Sequence, residues 1–124
     1  MFYRDTEVIV MESGTAAIIR ISGRLDHKIA DTVLIKIEQI QSKGFKTIIF
    51  DLENTTYISS LGLGIIASTH EILAASGGKV KISGIKGMIG ELFKITGLIN
   101  KLEIHRNISQ AVEYPRTTIS FGTR

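Results

Sequence analysis

The chain has 124 residues, 44% of them hydrophobic and 22% charged, which suits one compact domain with a core that forms without covalent staples. Cysteine is absent, which removes disulfides, thiol catalysis and thiolate metal sites and agrees with a cytoplasmic location. The net charge of +3 is small and its lysines are scattered, Trp is absent and aromatics make up 6%, so no direct nucleic-acid surface is expected.

Along the chain, the β-branched runs 8–11 and 16–21 flank Glu12-Ser13-Gly14-Thr15 and predict a hairpin. Residues 1–30 hold no basic segment leading into an apolar core, so no signal peptide is expected. No apolar run approaches the roughly 18 residues of a membrane span. Asp26 offers an N-cap to a helix whose stripe is Ile29, Val33, Ile37 and Ile40, closed by Gly44. The near-continuous apolar run 46–52 reads as a strand covered on both faces.

A polar loop follows, ending in Ser59-Ser60. Leu63, Ile66, Ala67, His70 and Leu73 then share a helical face that stops at Gly77-Gly78. Lys79-Val80-Lys81-Ile82 alternates as a strand with one solvated side. Met88, Ile89, Leu92 and Ile95 form a third helical stripe before Gly97, and 102–104 and 109–114 read as a short strand and a short last helix. The order ββαβαβαβα predicts a single α/β domain over 1–114, with a central sheet of four to five strands and about four helices. Residues 115–124 show no periodicity and read as a flexible tail, apart from 118–121, which suits a sheet edge.

The serine loop carries the chemistry. Ser and Thr are ordinary N-caps, which accounts for a Ser pair before a helix without any further role. Gly62 and Gly64 are harder to place, since each costs about 1 kcal/mol against alanine inside a helix. Both make sense where another surface approaches the backbone, with Leu61 and Leu63 adding apolar contact area. A phosphate on Ser60 adds about two negative charges at the positive end of a helix, a placement the fold tolerates. At a docked interface the same charge costs several kcal/mol.

The stretch resembles the signature of the STAS family, the anti-sigma-factor antagonists. Asp51-Leu52 and Gly62-Leu63-Gly64 match its pattern of a strand ending in Asp-Leu followed by Asp-Ser-Ser/Ala-Gly-Leu-Gly. Gly23-Arg24-Leu25-Asp26 resembles its Gly-Glu-Leu-Asp, and Leu92-Phe93-Lys94-Ile95-Thr96-Gly97-Leu98 its Leu-Phe-x-x-Ser-Gly-Leu block. Three departures stand out: Ser59 replaces the usual Asp, Leu61 a small residue, and Arg24 a Glu.

The resemblance implies partner switching without catalysis by this chain. The unmodified protein binds an anti-sigma factor that is also a serine kinase of the histidine-kinase-like ATPase fold. Phosphorylation releases it, and a PP2C-type phosphatase resets the cycle. Ser60 falls on the family's phosphoserine, with Ser59 as the fallback. Asp26, His27, Ser59, Leu61, Gly62, Leu63 and Gly64 form the expected partner-binding surface. No cofactor or metal is implied.

Other readings share these residues. The family also supplies subunits of other regulatory or lipid-transport complexes that need no phosphorylation switch. Gly62 to Ala67 fits the G-x-G-x-x-A fingerprint of a nucleotide-binding α/β domain, without the acidic residue expected at the next strand end. Asp51 resembles a receiver phosphoacceptor that lacks its acidic pair. His27, His70 and His105 lie too far apart for a recognisable metal motif, and Ser60, His27 and Asp26 make a poorly spaced triad.

Overall fold

The opening hairpin forms where the β-branched runs predict it. Strands β1 (Thr6–Ser13) and β2 (Ala16–Leu25) pair antiparallel across Gly14-Thr15, from Ser13 opposite Ala16 to Thr6 opposite Gly23. The computed structural model describes residues 6–112. The expected tail at 115–124 and the end of the expected last helix lie outside the described residues.

After the hairpin come α1 (Ala30–Ser42), β3 (Thr47–Asp51), β4 (Thr55–Ile58), α2 (Ser60–Ala74) and β5 (Lys79–Ser83). The order then runs α3 (Gly87–Ile95), α4 (Leu98–Lys101), β6 (Glu103–His105) and α5 (Ile108–Ala111). The described residues thus hold six strands and five helices where four to five strands and about four helices were expected. The additions are β4 and α4. Strand β4 has four residues, two of them Thr, and its burial does not alternate, so its polar sequence reads as loop. Helix α4 is separated from α3 by Gly97, whose φ of 80° lies in the left-handed region.

The sheet runs β1-β2-β3-β5-β6, with every pairing after the hairpin parallel. Strand β2 is shared: Ala16–Arg20 pairs with β3, and Gly23–Leu25 pairs with β4 after a register shift. The chain leaving β3 therefore makes a short detour and rejoins the same neighbour further along. The Thr55 hydroxyl donates to the Ile21 carbonyl at 2.7 Å, and the Gly23 N–H donates to the Asn54 carbonyl at 3.0 Å, which pin the detour.

One face of the sheet carries the main core. Ile19, Ile21, Ile48, Phe50, Val80 and Ile82 pack there against Val33 and Ile37 of α1, Leu63 and Ile66 of α2, and Ile89 and Phe93 of α3. The other face has a smaller cluster of Ala16, Ile18, Ile49 and Ala111, so all four residues Ile48–Asp51 are buried, as the apolar run predicts.

Two helical expectations need correction. Met88 and Ile95, read as part of the third stripe, are 77% and 78% exposed. The buried pair is Ile89 and Phe93, four residues apart, which rotates the core face away from Met88. Asp26 does not cap α1. Ile29 occupies the N-cap without a side-chain bond, while Asp26 accepts the Lys28 N–H at 3.0 Å and shapes the preceding turn.

His70 behaves as a satisfied, half-buried histidine, because its Nδ1 accepts the Val80 N–H at 3.0 Å. On the second face Glu103 gathers Lys79 at 2.9 Å, Lys81 at 3.5 Å and His105 at 2.7 Å. Burial acts to raise the Glu103 carboxyl, but His105 and the two lysines outweigh it and hold its pKa at about 2 against the usual 4.5. A depressed carboxylate stabilises the fold above its unfolded pKa and loses that contribution as the pH falls from 4.5 towards 2. Because the group is partly solvated, Glu103→Gln should cost only on the order of 1 kcal/mol at neutral pH. Urea unfolding should find the variant and the parent converging near pH 2.

Candidate functional site

The site grows from the point where β4 runs out beside β2. The Ser59 N–H donates to the Leu25 carbonyl at 3.0 Å, which places the serine pair directly beside Asp26 in the chain's next turn. Ser59 is extended, with φ −85° and ψ 170°, and is the N-cap of α2. Its Oγ accepts the Gly62 N–H at 3.1 Å and its carbonyl accepts the Leu63 N–H at 3.0 Å. Ser59 is half-buried and committed to the cap. Ser60, the first residue of the helix, is exposed, and its hydroxyl has no hydrogen-bond partner among the described residues.

The glycines divide in the same way. A Cβ on Gly62 would lie 2.8 Å from Leu25 Cγ, 2.9 Å from the Leu25 carbonyl oxygen and 3.1 Å from Ile58 Cγ2. That close approach is a folding requirement, so the expectation that both glycines serve only an outside surface holds at most for Gly64. Gly64 is exposed, and a Cβ there would meet nothing within 4 Å. Leu63 is 9% exposed and joins the main core, whereas Leu61 is 49% exposed. Of the expected surface, Ser60, Leu61, Gly64 and His27 are open to solvent, Asp26 and Ser59 are half-buried, and Gly62 and Leu63 lie beneath.

Arg24 sits at the rim. Its Nε is 3.3 Å from Asp26 Oδ2, and its guanidinium lies over the Tyr57 ring, 4.1 Å from the centroid. Burial acts to raise the Asp26 carboxyl, but the Lys28 N–H, Arg24 and His27 prevail, so its pKa falls below the usual range. Tyr57 is not legible as a site residue in the sequence, because it lies in β4, whose polar residues read as loop. The signal for it is pairing, since Arg24 is opposite Tyr57 in the sheet register. The first turn of α2 contains no acidic side chain, so negative charge there meets the helix end and a rim in which Arg24 and Asp26 are paired.

The alternative chemistries fare poorly against this geometry. The Gly62 and Leu63 N–H groups are consumed by Ser59, inside a helix already begun, so the G-x-G-x-x-A stretch forms no open phosphate loop. Asp51 is 4% exposed, paired with Arg20 at 2.9 Å, and accepts the Glu53 N–H at 3.2 Å. It organises the loop after β3 and is shut away from a phosphodonor. Asp26 is occupied by Arg24 and the Lys28 amide instead of orienting His27. Among the described residues no three His, Asp or Glu side chains converge on a possible metal position, and no helix is long and apolar enough to cross a membrane.

Substitutions should separate the two serines and the two glycines. Ser59→Ala should lower stability by about 1 kcal/mol through loss of the cap, whereas Ser60→Ala should stay within about 0.5 kcal/mol of the parent. Gly62→Ala should destabilise by roughly 1–3 kcal/mol through overpacking on Leu25. Gly64→Ala should stabilise by up to about 1 kcal/mol. Chemical denaturation of the four variants reads all of these.

Comparison with known proteins places the fold. A sequence model of the STAS domain matches residues 7–111. The anti-sigma F factor antagonist of Paenibacillus polymyxa is 29% identical over 91 residues, covering 73% of this chain and 78% of that protein. An anti-sigma factor antagonist from Mycobacterium paratuberculosis superposes with a TM-score of 0.78 at 20% identity, covering 86% of this chain and 91% of that one. The Bacillus cell fate determinant SpoIIAA in its phosphorylated form gives 0.69 at 22% identity, covering 86% and 96%. With its motifs, its sheet and its helix order all in agreement, the chain belongs to the STAS domain family.

Proposed function

We propose that this chain is a cytoplasmic anti-sigma-factor antagonist that works by partner switching, with Ser60 as the phosphoacceptor. The observation that carries the reading is the division of labour at the start of α2: Ser59 holds the cap while Ser60 offers an exposed, uncommitted hydroxyl at the helix end. The relatives named as anti-sigma factor antagonists support it, as does the phosphorylated form of a structural neighbour.

In the unmodified state Ser60, Leu61, Gly64, Asp26, His27 and Tyr57 present a mixed apolar and polar surface to the anti-sigma factor. That partner is a serine kinase of the histidine-kinase-like ATPase fold. This chain is its substrate and ligand and performs no catalysis itself. Phosphate on Ser60 adds about −1.5 to −2 charges. The helix end favours that charge by about 1 kcal/mol, so the domain keeps its fold. A docked partner must desolvate the same charge at a cost of several kcal/mol, and the complex separates. A PP2C-type phosphatase restores the binding form.

Arg24 gives this surface a positive rim where the family commonly has Glu, which directs the protein to a partner of altered charge. A STAS subunit of a regulatory or lipid-transport complex without a switch is the competing role, and it would leave Ser60 unmodified. Incubation with the cognate kinase and ATP, followed by peptide mapping, should find phosphate on Ser60. Ser60→Ala should abolish labelling yet still retain the kinase in pull-down. Labelling that persists in Ser60→Ala and disappears in Ser59→Ala would move the switch to Ser59, and no labelling in either would remove it.

A further inference from the structure

Arg24 stands where the family commonly has Glu, and it is fixed at three points although its side chain is 49% exposed. Its backbone N–H donates to Thr6 Oγ1 at 2.9 Å, and its Nε donates to Asp26 Oδ2 at 3.3 Å. Its guanidinium lies 4.1 Å from the centre of the Tyr57 ring. The two Nη groups have no hydrogen-bond partner among the described residues. Ordering an arginine costs rotamer entropy, and here the fold supplies that order in advance. The result is a preset, solvent-facing fork of donors.

The sheet sets where that fork lies. Arg24 is opposite Tyr57, Leu25 is opposite Ile58, and the Ser59 N–H continues the pairing onto the Leu25 carbonyl. Leu25 and Ile58 are buried, so by the two-residue period Arg24, Asp26, Tyr57 and Ser59 stand on the outer side. Asp26 is thus beside Ser59, and the Arg24 side chain already reaches towards it. Ser60 comes next, its Cα at most about 11 Å from that of Arg24 by strand rise and spacing. An arginine and a phosphoserine side chain together span that gap. Backbone donors at the helix end are scarce, because Ser59 takes the Gly62 and Leu63 N–H groups.

We infer that Arg24 is the group that holds the phosphate on Ser60. This rests on Ser60 as the phosphoacceptor and adds what the modified residue binds. Nε stays on Asp26, whose charge the guanidinium offsets. The two Nη groups donate to two phosphate oxygens, a paired geometry that arginine forms with an oxyanion and lysine does not. The His27 and Lys28 side chains, the other basic groups of this rim, make no hydrogen bond among the described residues, so neither is preset for the task. A glutamate at position 24 would repel the phosphate, so the contact belongs to a chain with a base there. Once it forms, the fork is withdrawn from any docked partner. Modification then removes a donor from the docking surface as well as adding charge to it.

The test installs phosphoserine at position 60 during synthesis of the full chain. No kinase is involved, so the outcome is separate from whether a kinase chooses Ser60. Phosphorus NMR reads the second phosphate ionisation, ordinarily at about pH 6. Arg24→Gln should raise that pKa by at least about 0.5 unit, because the lost cation favoured the dianion, and Arg24→Lys should fall between. Lys28→Gln should leave it within about 0.2 unit. Asp26, His27 and Tyr57, the other ionisable groups of the rim, are common to all the proteins compared. The Nη protons of Arg24 should also shift downfield when Ser60 carries phosphate. Equal pKa values in the parent and Arg24→Gln, or Nη signals that the phosphate leaves in place, overturns the proposal. So does a larger response to Lys28→Gln than to Arg24→Gln, which would give the phosphate to Lys28.

Discussion

Everything at the serine loop rests on one close backbone approach, that of Gly62 to Leu25. Without a side chain, Gly62 lets the first turn of α2 settle against the end of β2, where Leu25 also accepts the Ser59 N–H. A larger residue would push the helix off this seat and carry the serines with it. The approach in turn depends on β4, which returns the chain to β2 after the detour at Leu52 to Asn54. Position of the helix end, commitment of Ser59 and freedom of Ser60 thus follow from packing at one spot.

That seat gives the proposed modification a selective effect. The cap and the core of α2 face inward, through Ser59, Gly62, Leu63 and Ile66, while Ser60, Leu61 and Gly64 face solvent. Charge added to the outer set meets water, a helix end and a rim where Arg24 offsets the Asp26 carboxylate. Only a partner pressed against that surface must strip the charge of water. The energetic asymmetry comes from geometry, because inward and outward residues alternate within a single helical turn.

Much of this was legible in the sequence. The hairpin, three helices and the parallel strands follow from apolar period and punctuation, since those patterns report burial directly. The Ser-Ser-x-Gly-Leu-Gly order marks the candidate site. What it left open was which glycine serves the fold, because proximity of Gly62 to Leu25 spans 37 positions in sequence and leaves no periodic trace. Strand β4 was missed for a related reason: Thr55 is buried by a bond to the Ile21 carbonyl and not by apolar character. Met88 and Ile95 misled because a stripe of four apolar residues fits two helical faces, and Phe93 decides between them.

The central claim is that phosphate on Ser60 blocks docking while sparing the fold. The direct measurement is the affinity of purified phospho-Ser60 protein for its kinase partner, alongside its unfolding free energy. The account predicts at least about a hundredfold weaker binding, roughly 3 kcal/mol, with stability changed by no more than about 1 kcal/mol. Equal affinity of the two forms, or weakened binding that merely tracks unfolding of the phosphorylated domain, would contradict it.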